Sequence, residues 1–264
     1  MERPSGFVLI GVPTDRNSSF LRGSAAAPRA VREVLFSDAG NLSSESGVDL
    51  GAPSIIDNAG DLPLTESDGD FAVIESAFRN LGRPFVALGG DHSITYPILR
   101  GLCAGREPVG VLHFDAHPDL YDSFEGNRFS HASPFARIME DGLACRLVQV
   151  GIRVATAHQR DQARRFGVET VFMDAFTPEA VPIPDGPLYV TIDLDGLDPA
   201  FAPGVAHPEP GGLSVRDVLA VLRRVGGPVV GADVVELNPA RDPLGLTAAV
   251  AAKLAKELGA LMVR

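Results

Sequence analysis

The chain has 264 residues, 45 % of them hydrophobic and 22 % charged, with a formal net charge of −11. These fractions are ordinary for a soluble globular chain with ample material for a core, while the acidic balance argues against nucleic acid or an anionic membrane as partner. The two cysteines, Cys103 and Cys145, are far apart and read as reduced thiols, which excludes a disulfide framework.

The opening MERPSGFVLIGV holds too short an apolar run for a secretory signal, and no stretch is long enough to span a bilayer, so the expected location is cytoplasmic. Phe7–Val12 reads as a buried first strand, followed by a polar, glycine-bearing loop over 14–28. Pro28 opens a helical pattern, PRAVREVLFS. Residues 38–61 lack strong periodicity; a second strand is placed at 54–56, before a loop over 58–63. A capped helix runs from Ser67 to Gly82. Strand 85–88 leads into GGDHS and a helix over 94–102.

The central strand is Val109–Phe114, within VGVLHFDAHPD, where Val111, Leu112 and Phe114 mark a run buried on both faces of a parallel sheet. A long loop passes through Asn127 to the helical SHASPFARIMEDG. Strands follow at 147–151, 170–173, 188–192 and 228–234, with helices at Ala157–Phe166, after the cap Ser214, and at 247–262. Strands alternating with helices throughout, with no repeat or linker, predict one parallel α/β sheet in a single domain, 1–264.

In open parallel sheets ligands bind beyond the carboxyl ends of the strands. Three strand ends carry candidate metal ligands: His92; Asp115, His117 and Asp119; and Asp193 with Asp195. Residues two apart on an extended chain point the same way, so each set converges. Each motif alone has a plainer reading, such as a loop cap for Asp193 and Asp195 or a tight turn at GGDHS. Their coincidence on one sheet favours metal. Four carboxylates and two imidazoles, with no thiolate, suit Mn²⁺ and similar ions, and six ligands exceed what one catalytic ion with an open position uses. Two ions sharing carboxylates fit better.

Four Asp carboxylates neutralise two divalent ions; a bridging hydroxide then leaves the site at about −1, and Glu236, in VVELNPARDP, adds a further negative charge. Such a site favours a small cation, and a guanidinium matches a carboxylate's fork. The alternative for Glu236 is a surface ion pair with Arg241.

GGDHS, DAHPD and DLDGLDPAFAPG together resemble the ureohydrolases (arginase, agmatinase and relatives) over essentially the whole chain. The stretches NSSFLRG, FAPGVAHPEPGGLSVRDVL and GADVVELNPARD are similar to the plant-type arginase branch. The resemblance implies a three-layer αβα arginase-like fold with a central, mainly parallel eight-stranded sheet and two Mn²⁺ ions per chain. It implies that His92, Asp115, Asp119 and Asp193 hold one ion, and Asp115, His117, Asp193 and Asp195 the other. A metal-bridging hydroxide would attack the guanidinium carbon of L-arginine, giving urea and L-ornithine. His131 matches the family's proton-shuttling histidine and Glu236 the carboxylate that holds the guanidinium; with Asp119 they are the candidate catalytic residues. Its structural alternative is a solvent-facing histidine at a helix start.

His207 stands where agmatinases and animal arginases have a Thr-Gly-Thr, and is expected to support Glu236 or contact substrate. Asn127 and Arg128 are candidate contacts for an α-carboxylate; Asp122 or Glu125 would instead attract the amine of agmatine. Agmatinase, guanidinobutyrase, formimidoylglutamase and a nickel guanidine hydrolase are the alternatives within the class, and a catalytically silent metal-binding protein the alternative outside it. The family also implies a homo-oligomer, a trimer or hexamer.

Overall fold

In a computed structural model, which describes residues 6–263, the chain builds one eight-stranded sheet. The strands are β1 (Phe7–Val12), β2 (Ile56–Asp61), β3 (Phe85–Gly89), β4 (Val109–Phe114), β5 (Ala144–Ile152), β6 (Glu169–Phe172), β7 (Leu188–Asp193) and β8 (Val229–Val235). They lie in the order β2-β1-β3-β8-β7-β4-β5-β6, and every pairing is parallel. Parallel neighbours require crossovers, which the helices supply: α1 (Ala27–Leu35), α2 (Asp70–Leu81), α3 (Thr95–Leu102), α4 (Pro134–Glu140), α5 (Ala157–Phe166), α6 (Val215–Leu222) and α7 (Leu246–Met262).

The central strands are apolar on both faces because each face is covered. Leu88, Leu112, Phe114 and Ile192 pack beneath α1, α6 and α7, with Val31, Leu219 and Leu254 among their partners. Val111, Tyr189 and Phe85 pack beneath α2, α3 and α4, with Ile74, Phe78, Ile98 and Phe135. The result is the three-layer αβα arrangement the resemblance implied, with a sheet that is wholly rather than mainly parallel.

The second strand differs from expectation. It runs over IDNAGD, most of which reads as loop, and its side chains are largely exposed. It is an edge strand, held by backbone pairing to β1 on one side, with a register shift between Leu9 and Ile10. Pairing rather than burial defines such a strand, so the apolar pattern does not mark it. The central helix α4 also starts later than SHASPF suggests, at Pro134.

Both cysteines are free, Cys103 buried and Cys145 exposed. No helix among the described residues is long and apolar enough to cross a membrane.

The irregular segment between α1 and β2 is fastened by Glu45, whose carboxylate receives Arg216 (2.6 Å), Arg223 (2.5 Å) and Lys253 (3.1 Å). Bonds from Arg216 and Lys253 hold its carboxyl down at about 2. A lowered value stabilises the fold above the ordinary carboxyl range and is lost as pH falls toward 2. Glu45→Gln is therefore expected to lower the thermal midpoint at pH 7 by about 1–3 °C, the scale of an exposed ion-pair cluster. Thermal scans at pH 7 and pH 3 check this: the gap between the two chains should shrink at the lower pH, and an equal gap at both would refute it.

Candidate metal centre and active-site cleft

Four adjacent strands, β3, β8, β7 and β4, end beside one another and deliver the candidate residues to one crevice. Two glycines allow the approach. A Cβ on Gly90 would lie 1.7 Å from the Thr14 carbonyl oxygen, and one on Gly196 would lie 2.8 Å from the Asp115 Cα. After β3, Asp91 accepts the Ser93 N–H (3.0 Å) and so starts the short helical turn His92–Ile94, which directs His92 inward. Asp119 and Glu236 both sit at positive φ, 48° and 66°. Non-glycine residues hold that conformation only when their surroundings fix it, and such strain gathers at functional sites.

The six sequence-predicted ligands fall into two groups. His92 Nδ1 lies 3.2 Å from Asp115 Oδ2, 3.1 Å from Asp119 Oδ2 and 3.2 Å from Asp193 Oδ2. His117 Nδ1 lies 3.5 Å from Asp115 Oδ1 and 3.2 Å from Asp195 Oδ2. Asp115 belongs to both groups; Asp193 belongs to the first, its Oδ1 accepting the Asp195 N–H at 2.8 Å.

The electrostatics show what is missing from this arrangement. Burial and the charge of Asp115 push Asp119 up to about 6, and burial, partly offset by His117, takes Asp195 to about 7. Burial and repulsion from Asp195 and Asp115 raise Asp193 well above the carboxylate range. His92 Nδ1 is fully buried yet makes no hydrogen bond, although three carboxylate oxygens surround it. A buried imidazole nitrogen facing three carboxylates is a place for positive charge, and an ion there satisfies all four groups at once. The donor set, oxygens and imidazoles without sulfur, fits a divalent ion such as Mn²⁺.

Beside this cluster His131 Nδ1 meets Glu236 Oε1 at 2.9 Å, and its Nε2 meets Ser19 Oγ at 2.8 Å. Glu236 is buried and also accepts the His92 backbone N–H (2.9 Å), so it is not the surface partner of Arg241. Burial works against protonation of His131, but the charge and hydrogen bond of Glu236 outweigh it and carry the imidazole to about 9. His131 stands at a cleft of about 160 Å³ walled by Ser19, Tyr121, Phe124, Val154, Thr156, Gln159 and His207. The His207 ring lies 5.2 Å from that of His131, and burial with the neighbouring His131 lowers its own pKa.

Asn127 and Arg128 are not brought to the cleft. Asn127 Nδ2 donates to Asn17 Oδ1 (3.0 Å), and the Arg128 guanidinium turns back to Glu140 on α4 (2.8 Å). No Lys or Arg is among the cleft-lining residues. Ser19 and Asn17, which hold the His131 side chain and backbone, lie in the stretch NSSFLRG that carries part of the resemblance, but a loop with no spacing pattern gives them no role from sequence. His113 and Gln149 are buried polar residues within β4 and β5, below the cluster, and the apolar pattern of those strands gives them no role. The period-2 rule that aligns Asp115 with His117 also aligns it with His113, which was the available signal.

A three-layer αβα sheet with such a carboxylate-imidazole cluster beyond its central strands defines a metal-dependent hydrolase of the open α/β kind. The chain belongs to the arginase family, whose model matches residues 5–260, and is an arginase-type hydrolase. It is 48 % identical to "Arginase 1, mitochondrial" of Oryza sativa subsp. indica, over 96 % of this chain and 80 % of that one. It is 49 % identical to "Arginase 1, mitochondrial" of Arabidopsis thaliana, with the same coverage. The solved arginase from Medicago truncatula superposes with a TM-score of 0.91 at 45 % identity, covering 99 % of this chain and 89 % of that one. The expectation of a cytoplasmic location is corrected here: both relatives carry the name mitochondrial, so the cytoplasmic assignment does not stand. A secretory segment is apolar, whereas organelle-targeting segments are amphipathic and basic, so a short apolar run carries no information about an organelle.

Proposed function

We propose that the chain hydrolyses L-arginine to urea and L-ornithine with two Mn²⁺ ions bound among His92, Asp115, His117, Asp119, Asp193 and Asp195. The observation that carries this is the unpartnered, buried His92 Nδ1 among three carboxylates, one of which it shares with the His117 and Asp195 group. When bound, the ions supply Lewis acidity and the means to activate water at neutral pH. Glu236, a buried carboxylate bonded to the cleft-lining His131, offers negative charge for the substrate guanidinium. His131, held protonated below about pH 9 by Glu236, donates a proton to the nitrogen that leaves as ornithine's amine once its bond to the guanidinium carbon breaks. Tyr121 and Phe124 shield the aliphatic stem of the substrate from water.

The non-reacting end meets no cation, so neutral donors recognise it. Thr156, the N-cap of α5, and Gln159 in its first turn close that helix end on each other at the cleft wall, which leaves the Gln159 side-chain N–H groups as neutral donors for an α-carboxylate there. Similarity to plant arginases supports the same choice. Urea release by the Mn²⁺-loaded chain, with L-arginine, agmatine, 4-guanidinobutyrate and free guanidine in parallel, tests it. Turnover of arginine at least about tenfold above the others is expected, a difference of about 1.4 kcal/mol. Preference for agmatine would keep the chemistry and overturn the substrate.

A further inference from the structure

Beneath the candidate metal centre, the sheet carries polar side chains where a core normally has apolar ones. Strand register pairs Asp233 with Thr191, Thr191 with His113, and His113 with Gln149. These four residues therefore lie side by side across β8, β7, β4 and β5, and all are fully buried. Burying such groups costs free energy unless each finds partners, so a whole row of them needs a reason.

Their hydrogen bonds lead to the candidate ligands. Thr191 Oγ1 lies 3.0 Å from His92 Nε2. Gln149 Nε2 lies 2.6 Å from the Pro118 carbonyl oxygen, and only the amide's N–H side can face a carbonyl, which fixes its orientation. Its second N–H points to His113 Nδ1, at 3.1 Å, making that nitrogen the acceptor. The ring proton of His113 is thereby on Nε2, which donates to Asp115 Oδ2 at 2.7 Å. Phe135 stacks on the His113 ring, with centroids 3.9 Å apart, and holds its plane. With both nitrogens engaged, His113 is not itself free to ligate an ion.

Asp115 is the one carboxylate common to both ligand groups, and its two oxygens are each held by one donor: Oδ2 by His113 and Oδ1 by the His117 N–H at 2.7 Å. We propose that His113, locked in a single tautomer by Gln149, is a positioning residue that fixes the rotation of Asp115 so that this carboxylate serves both metal positions. Side chains that orient metal ligands from behind are worth about 10–100-fold in metal affinity. The inference rests on the metal-centre reading above.

The test is Mn²⁺ titration of the metal-free chain, followed by the electron paramagnetic resonance of free and bound ion, with thermal unfolding of the metal-free chains alongside. His113→Phe keeps a flat ring without the donor; His113→Gln restores an N–H near the same place. H113F is expected to bind Mn²⁺ about 10–100-fold more weakly and to change the signal of the coupled ion pair, with H113Q within a few-fold of wild type. Should H113F not fold, Gln149→Leu replaces it, since it leaves the ring but releases the tautomer; weakened binding in Q149L beside near-normal H113Q supports the inference. Wild-type affinity in H113F, or in Q149L where that variant stands in, overturns it, as does equal weakening in H113F and H113Q. A wild-type chain that takes up no ion overturns the metal-centre reading as well.

Discussion

Asp193→Asn is expected to cut urea release on the order of 10³-fold or more while making the metal-free chain more stable. The two effects share one cause. Asp193 Oδ2 is 3.2 Å from His92 Nδ1, in a buried pocket with Asp115 and Asp119, and Asp195 follows on the same strand end. Burial first, and then the charges of Asp195 and Asp115, push its carboxyl well above its ordinary value of 3.8. A raised carboxyl value penalises the fold at pH above the unfolded value, so the advantage of asparagine is present at pH 7 and fades as pH falls toward 4. Each 1 kcal/mol relieved should raise the thermal midpoint by about 2–4 °C. Metal then reverses the order: Mn²⁺ should raise the midpoint of wild type far more than that of D193N. Thermal scans with and without Mn²⁺, at pH 4 and 7, together with urea assays, check this. A D193N chain less stable than metal-free wild type at pH 7 would contradict the charge argument.

His131→Asn should lower kcat by about 10²–10⁴-fold, the usual worth of a positioned proton donor, while leaving metal content unchanged. His131 touches Glu236 and Ser19 rather than the carboxylate cluster, so the ions have no contact to lose. Its ring is protonated at neutral pH because Glu236 overcomes the cost of burial. A donor of this kind acts below its pKa, so in wild type the rate should turn down as pH rises past about 9, and H131N should lack that limb. Metal analysis beside a pH–rate profile separates this loss from that of D193N. Retention of kcat within about threefold would remove His131 from the chemistry.

What could be read in the sequence, and what could not, divides along physical lines. The central strands announce themselves because burial on two faces demands continuous apolar runs, as in Phe7–Val12 and Val109–Phe114. Strand periodicity marks Asp115, His117, Asp119, Asp193 and Asp195 in the sequence and the structure brings them and His92 together, but turns beyond the strand ends make the convergence, with Asp119 at a φ of 48° and Asp195 in the helical turn Leu194–Gly196. β2 was misplaced because an edge strand owes its existence to backbone bonds that any residue can make. Arg128 was assigned to the cleft from its place in the loop, yet a loop's side chains point where their partners lie, and Glu140 is the partner. Ser19 lies 112 residues from His131, a pairing no local pattern encodes. His113 was passed over because one polar residue within an apolar strand reads as noise until its neighbours across the sheet are known.

The last strand of the chain is not at an edge of the sheet; β8 lies between β3 and β7 and is their only link. During synthesis, the strands bearing His92 and those bearing Asp115 and Asp193 therefore emerge as two separate sheets, each with a bare edge facing the other. Joining them awaits the arrival of 229–235, and the wide sequence separations make that a slow, late step. A nascent chain would hold Asp115, His117, Asp119, Asp193 and Asp195 in one half and His92 in the other until β8 arrived. An ion held by the His92 group, unlike one held by Asp115, His117 and Asp195 alone, would then be a signal that the sheet has closed, and chains halted before β8 would be left with adhesive edges on β3 and β7.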